Sequence, residues 1–406
     1  MKSVLKDDYE AFLSSYAKPP VSSLRFGRKA PKTLEPALME TWHLERVPFD
    51  PHGYYYPAKL RPGLCVYHDA GAFYIQEASA MAPANALAPR PFERVLDLCA
   101  SPGGKSVQLS HMMDDKGILF SNEIIPKRAG ILSENIERMG ITNTIVTNES
   151  PGSLCKKLPK YFDKILVDAP CSGEGMMRKN ENAISQWSLK NVDNCSARQG
   201  EILECADRLL KDDGRIVYST CTFEKKENEV QVENFLKKHP EYRMVKLHTI
   251  YPHREKGEGQ FYAVLERGYV KSDADEGGLL NHDFPKSSMP PQTVRFGDNI
   301  YLLPHGAPSL KGLKVMRPGL HAQVIKKNRT EPAHAWGMSR LIDGEEPKVI
   351  LSEEDALRYV HGESLRPETP TDNGWHVVFA GGVSLGVGKV AGGILKNHYP
   401  KGLRRP

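Results

Sequence analysis

The 406-residue chain has no Cys-x-x-Cys pair, and its seven cysteines, at 65, 99, 155, 171, 195, 205 and 221, are an odd number without regular spacing. Neither a disulfide framework nor a zinc site is indicated, so no metal is expected and a reducing compartment is. No run of about 18 apolar residues occurs, and the Met1–Asp8 stretch lacks the apolar core of a secretion signal. The expected protein is cytoplasmic, neither secreted nor membrane-spanning. Long internal repeats and low-complexity tracts are also missing. From Gly374 to Pro406 there is no Asp or Glu, against five basic residues, Lys389, Lys396, Lys401, Arg404 and Arg405. A stretch so short of acids suits contact with phosphates. The whole chain is only mildly basic, with a formal charge of +5 and a pI near 8.6. That permits a polyanionic partner without requiring one.

What is present divides the chain. With 40% hydrophobic residues it can bury real cores, and its length suggests two or three domains. Residues 1–92 mix helical fragments with proline-rich, basic segments (Arg25, Arg28, Lys29, Lys32) and read as an accessory domain. Within them Phe73–Ala82 reads as a helix start. Residues 93–270 alternate short apolar runs with amphipathic helices, the pattern of a mostly parallel, Rossmann-like α/β sheet. Strands are expected at Val95–Leu98, Ile118–Asn122, Thr144–Thr147, Ile165–Val167, Ile216–Tyr218 and Phe261–Leu265. Helices are expected at Ser106–Met113, Lys127–Met139, Cys195–Leu210 and Glu224–Lys238. Residues 271–293 are poor in large apolar groups and read as a linker. Residues 294–406 suggest a small β-rich domain.

Two apolar runs end in a cysteine. Ile165-Leu166-Val167 leads into Asp168-Ala169-Pro170-Cys171-Ser172-Gly173, and Ile216-Val217-Tyr218 leads into Ser219-Thr220-Cys221-Thr222. Either cysteine alone reads equally well as a small buried hydrophobe. Two at strand ends, where open α/β sheets bind ligands, point to chemistry.

The turn Asp97-Leu98-Cys99-Ala100-Ser101-Pro102-Gly103-Gly104-Lys105 joins a strand to a helix, and its small residues let backbone N–H groups approach a ligand. A Walker A motif needs glycine at position 99, where this chain has Cys99, and the three-glycine dinucleotide spacing is absent. Glu123 follows at the end of the second strand, where a ribose-binding acid belongs in such folds. The third strand ends at Asn148-Glu149-Ser150, any of which could face an adenine ring, with Glu149 favoured. This set suits S-adenosylmethionine better than a nucleotide with a long phosphate chain.

The motifs Asp97–Lys105, Asp168–Gly175 and Tyr218–Thr222, in that order, closely resemble those of the Sun/nucleolar-protein family of RNA cytosine-5 methyltransferases. Gly257-Glu258-Gly259-Gln260-Phe261 resembles that family's closing motif. The ending Lys396–Arg404 looks like that of its bacterial 16S rRNA methyltransferase F branch. The resemblance implies S-adenosylmethionine as cofactor, held by Cys99, Ala100, Ser101, Pro102, Gly103, Gly104, Lys105, Glu123, Glu149 and Asp168. It implies Cys221 as nucleophile, Cys171 as the cysteine that assists product release, and a PUA-like RNA-binding domain at the C-terminus. RNA is the implied partner, namely 16S rRNA or the 30S subunit, with tRNA methylation or non-catalytic ribosome assembly as alternatives. Nothing in the sequence calls for more than a monomer.

The implied chemistry explains the residue types. Carbon 5 of cytosine is a weak nucleophile, and a thiolate adding to carbon 6 activates it. Cys221 then needs nearby positive charge, for which Lys105 is a candidate. Asp168 could donate a hydrogen bond to ring N3 if burial raises its pKa. The base must be unpaired or flipped, and the basic N-terminal segment and C-terminal domain are expected to hold the flanking RNA.

Overall fold

Residues 5–268, 292–342 and 346–404 are described by this computed structural model. All but the last two residues of the expected linker lie outside the described residues.

The N-terminal region builds a four-stranded antiparallel sheet from β1 (Ser23–Phe26), β2 (Glu45–Arg46), β3 (Gly53–Tyr55) and β4 (Phe73–Ile75), in the order β2-β3-β1-β4. The stretch from Phe73, expected as a helix start, is therefore a strand. Phe73 sits opposite Phe26 and joins Leu24 and Tyr54 in one buried cluster, and that burial outweighs the helix propensity of the alanines behind it. The helix begins only at Ala82, with Pro83 in its first turn, where a missing N–H costs nothing.

The centre is an eight-stranded sheet of β5 (Arg94–Asp97), β6 (Ile118–Asn122), β7 (Thr144–Thr147), β8 (Phe162–Asp168), β9 (Leu210–Thr220), β10 (Tyr242–Ile250), β11 (Gln260–Arg267) and β14 (Val315–Arg317). Its order is β10-β11-β9-β8-β5-β6-β7-β14. The five inner strands are parallel, and β11, β10 and β14 run antiparallel to their neighbours. Near-continuous Val, Ile, Leu and Phe in the inner strands match burial on both faces. Leu96, Phe120, Ile165 and Ile216 pack beneath Ile202, Leu203 and Ala206 of the Leu189–Leu209 helix. Val95, Leu119, Leu166 and Val217 pack on Leu109 of the Gly104–Met112 helix. The chain turns back between β5 and β8, which makes their carboxyl ends the switch point where such sheets bind ligands.

Several elements differ from expectation. The helix expected from Cys195 starts at Leu189, capped by the Ser188 side chain, and the helix expected from Glu224 starts at Glu229 because residues 224–228 form turns. Strand β10 was not expected at all, since five of its nine residues are exposed and carry no clear apolar alternation.

Beyond residue 292, β12 (Thr293–Phe296), β13 (Asn299–Leu302), β15 (Leu320–Lys326) and β16 (Arg329–Pro332) form one sheet, from which β14 departs to join the central one. A further sheet of β17 (Lys348–Leu351), β18 (Gly374–Ala380), β19 (Val383–Ala391) and β20 (Ile394–Lys396) carries the helix Glu353–His361. Its Val349, Tyr359, Val378 and Leu385 share a core with Leu24, Phe26 and Phe73, so the two ends of the chain pack on each other.

The expectation that the basic N-terminal segment holds RNA fails at specific residues. Arg25 is 4% exposed and committed to Asp50 (3.1 Å) and His111 (3.0 Å), while Lys29 donates to the Ser384 carbonyl (2.8 Å). Both tie elements together inside the protein. At the other end Lys396 and Lys401 are exposed, Arg404 bonds internally to Tyr399 and Asn397, and Arg405 lies outside the described residues.

Candidate active site

The turn after β5 packs closely against its neighbours. Gly103 has φ +118°, a conformation that side chains rarely adopt, and a Cβ there would stand 3.1 Å from Leu132 Cδ1. One on Gly104 would stand 3.1 Å from Tyr74. The Pro126–Arg138 helix fixes the outside of the turn, with Asn135 donating to the Pro102 carbonyl and Arg128 to that of Ser101, each at 3.0 Å. Ala100 N donates to Asn122 O (2.8 Å). Cys99 packs against the core, and burial pushes its thiol well above the ordinary range.

Asp97 ends β5 fully buried. One carboxylate oxygen accepts from Ser106 (2.7 Å), and the other has no partner. Burial pushes its pKa up to about 7. An orphaned buried oxygen beside a glycine cradle is the provision expected for a ligand with a donor group. Glu123, just beyond β6, is 4% exposed and accepts from the Ile125 amide (2.9 Å), with Arg128 at 3.4 Å.

The third-strand residues have distinct tasks. Ser150 caps the following helix through Ser153 N, and Asn148 donates to the carbonyls of Glu123 and Ile124. Glu149 is 6% exposed, and its Oε1 accepts from the backbone of Lys314, one residue before β14 (2.7 Å). The edge of the site is thus completed from a part of the chain that sequence reading had not connected with it.

At the switch point Lys105 Nζ lies 2.8 Å from Asp168 Oδ2. Burial opposes the ammonium charge, but Asp168 outweighs it and holds the Lys105 pKa above its ordinary value, with Cys221 adding to the effect. Asp168 also accepts from Ser219 (2.7 Å) and Gln260 (3.3 Å). The deep burial expected of Asp168 is not found. Its side chain keeps 30% exposure, and three donors face it.

The two strand-end cysteines meet, with Cys171 Sγ 3.3 Å from Cys221 Sγ. Their hydrogen bond, then burial, pushes the Cys171 thiol well above its ordinary range, so Cys171 keeps its proton beside its partner. Below them Ser172 Oγ and Thr222 Oγ1 are 2.8 Å apart, and Gly175 N donates to Cys221 O (2.8 Å). Glu174 accepts from Phe223 N (3.1 Å), and burial pushes its pKa to about 6. Elsewhere Asp207, His239 and Glu241 converge, but Arg267, 3.4 Å from Asp207, supplies the positive charge there.

Sequence reading missed Ser219, Gln260, Glu174 and Lys314 as parts of this constellation. The first three lie inside motifs already singled out, so proximity to those motifs was the available signal. For Lys314 there was none.

A doubly wound sheet with a glycine-rich turn after its first central strand, a buried acid after the second and paired cysteines after the fourth and fifth fits a methyltransferase of the S-adenosylmethionine-dependent class. Comparison with known proteins agrees. The family described as 16S rRNA methyltransferase RsmB/F matches residues 84–266. The N-terminal domain of 16S rRNA methyltransferase RsmF matches 1–78, its first C-terminal domain 281–339, and its PUA domain 346–405. Ribosomal RNA small subunit methyltransferase F of Aeromonas salmonicida is 32% identical over 90% of this chain and 86% of its own. The protein of that name from Vibrio atlanticus is 30% identical over 98% and 94%. Among solved structures, a methyltransferase homolog from Pyrococcus horikoshii (25% identity, TM-score 0.58) covers 64% of this chain and 91% of its own. NSun6 from the same organism, solved with SFG, an analogue of S-adenosylmethionine, shares the fold at 20% identity and TM-score 0.56, over 65% of this chain and 95% of its own. The chain belongs to the RsmB/F family of 16S rRNA methyltransferases, with the N-terminal, first C-terminal and PUA domains of its methyltransferase F members. It is an RNA methyltransferase, and its cofactor is S-adenosylmethionine.

Proposed function

We propose that this enzyme methylates carbon 5 of cytosine in 16S rRNA, through a covalent bond between Cys221 and carbon 6 of the base. The observation that carries the reading is the pair of thiols 3.3 Å apart, beyond the carboxyl ends of two neighbouring parallel strands. A methyltransferase acting on an amine or hydroxyl needs no nucleophile of its own, whereas carbon 5 must first be made electron-rich.

When bound, S-adenosylmethionine supplies an electrophilic methyl group. The residues suited to hold it are Cys99–Lys105, Asp97 with its free oxygen, Glu123, Asp168 and the Glu149 edge. Cys221 adds to carbon 6 as the thiolate and leaves carbon 5 enamine-like. A proton or hydrogen bond at N3 assists addition, and Lys105 is the group with a proton to share, since Asp168 is occupied as an acceptor. After methylation water takes the carbon 5 proton, the electron pair of that bond re-forms the carbon 5–carbon 6 double bond, and the carbon 6–sulfur bond breaks with its electrons going to Cys221. Cys171, protonated and 3.3 Å from Cys221, would return a proton to the departing sulfur.

The test is incubation with methyl-labelled S-adenosylmethionine and, separately, unmodified 30S subunits, naked 16S rRNA and tRNA, followed by identification of the labelled base. Label in 5-methylcytosine of 16S rRNA supports the reading, and label confined to tRNA or to another atom overturns it. The same arms decide between assembled subunit and naked RNA.

A further inference from the structure

Each cysteine is bracketed from behind by residues that touch neither cysteine's sulfur. Glu227 is fully buried, and its Oε2 accepts from Ser172 N (3.0 Å), the residue after Cys171. Gln199, also fully buried, donates both to that same oxygen (2.8 Å) and to the carbonyl of Pro170 (3.0 Å), the residue before Cys171. The next residue in the chain, Asn228, does the same for Cys221. Its Oδ1 accepts from Thr220 (2.6 Å), and its Nδ2 donates to the carbonyl of Thr222 (2.9 Å).

This arrangement is costly for the local structure. Asn228 occupies the N-cap of the Glu229–Lys238 helix, a position where an asparagine side chain ordinarily accepts from the helix's own amides, yet it makes no such bond. The side chain is turned away, toward the Cys221 turn. Glu227 carries a carboxyl in a place without solvent, with Oε1 and the neighbouring Gln199 Oε1 both unpartnered. Burial pushes its pKa up. Tyr218, three residues before Cys221, bonds the Glu227 carbonyl (2.6 Å), which locks the turn to β9.

We propose that Glu227 and Asn228 are positioning residues that hold the two thiols in register, Glu227 acting through the Cys171 loop on product release and Asn228 through the Cys221 turn on addition to the base. The assignment rests on the roles given above to the two cysteines. Glu227 bonds the backbone on one side of Cys171 and Asn228 the residues on both sides of Cys221, so the two are assigned different steps although they are adjacent in the chain.

The test uses the full-length enzyme and two versions of small-subunit RNA, one with ordinary cytosine and one transcribed with 5-fluorocytosine, whose fluorine cannot leave as the proton does. Protein–RNA adducts are read on denaturing gels. With ordinary RNA, Cys171→Ala and Glu227→Ala are each expected to accumulate adduct at least several-fold over wild type, and Glu227→Gln, which keeps an acceptor for Ser172 N, to restore turnover. With fluorinated RNA, Asn228→Ala is expected to form adduct at least ten-fold more slowly while binding cofactor normally, and with ordinary RNA to accumulate none. Gln199→Ala removes the other half of the Cys171 bracket and reads the same release step if Glu227→Ala does not fold. If Cys171→Ala traps adduct but neither Glu227→Ala nor Gln199→Ala does, or if Asn228→Ala adds normally, the positioning roles are wrong while the cysteine chemistry stands. If Cys171→Ala turns over without adduct, the cysteine roles fail and the positioning roles fall with them.

Discussion

Lys105 and Asp168, 63 residues apart in the chain, meet at 2.8 Å at the switch point of the sheet. The same ammonium is drawn toward its charged form by Cys221. Asp168 also accepts from Ser219 of β9 (2.7 Å), so this ion pair is tied to the ends of both β8 and β9. Lys105→Met is expected to lower single-turnover methylation by about 10²–10³-fold, the usual effect of removing one preorganised electrostatic group. Lys105→Arg should recover part of it. Rapid-quench methyl transfer at saturating cofactor is the measurement.

Cys221→Ala should retain cofactor and RNA binding, since no hydrogen bond of the cofactor cradle passes through its sulfur, while methyl transfer falls to background. Binding by calorimetry and transfer by label incorporation separate the two. Normal turnover would remove Cys221 as nucleophile.

Asp97 gives the native state a distinctive acid–base signature. Its folded pKa of about 7 stands above the unfolded value of about 3.9, so the folded state holds the extra proton between them. Its contribution is intact below pH 4 and is lost as pH rises through 7, by at most about 4 kcal/mol at roughly 1.4 kcal/mol per unit. Asp97→Asn, which cannot ionise, should flatten the fall in melting temperature of the cofactor-free enzyme over that window. An unchanged slope would mean that Asp97 ionises normally in the fold.

Gly103→Ala places a side chain at φ +118°, close to Leu132. A loss of stability of roughly 1–3 kcal/mol is expected from the backbone strain alone. The larger effect should be on cofactor affinity, because the turn must shift. The thermal shift induced by S-adenosylmethionine should shrink more than the melting temperature of the free protein.

Glu137, on the helix that braces the cofactor turn, bonds Arg317 of β14 (2.8 Å) and His334 (3.0 Å). Burial opposes its charge, but His334 and Arg317 outweigh it and hold the carboxyl well below its usual range. This stabilisation is complete above the unfolded pKa near 4.3 and is lost as pH falls through the folded value, the opposite sense to Asp97. Arg317→Leu leaves the partly buried Glu137 carboxylate without its fixed charge partner and should cost about 1–3 kcal/mol. The cost should appear as a lower melting temperature and as faster proteolysis between β12 and β14 than in β5–β9.

Local pattern was enough for much of this protein. The parallel core strands, the Cys99–Lys105 turn, Glu123 and both cysteine loops were legible because each is a contiguous run whose residue types answer to backbone geometry, namely small residues at a tight turn and apolar runs ending at a ligand edge. Sequence also pointed to the two cysteines as a pair, and the fold brings them to 3.3 Å of each other.

Tertiary structure decided what depends on distant partners. Phe73–Ile75 became a strand because β1 offered a partner and a core. Arg25 and Lys29, basic and apparently free for RNA, turned inward because Asp50 and the Ser384 carbonyl were there to receive them. Glu149 received Lys314 from 165 residues away, and Glu227 reached Ser172 across 55. Hydrogen bonds and ion pairs act over about 3 Å and carry no trace along the chain. Sequence therefore named the candidate groups, and only folding determined which of them are neighbours.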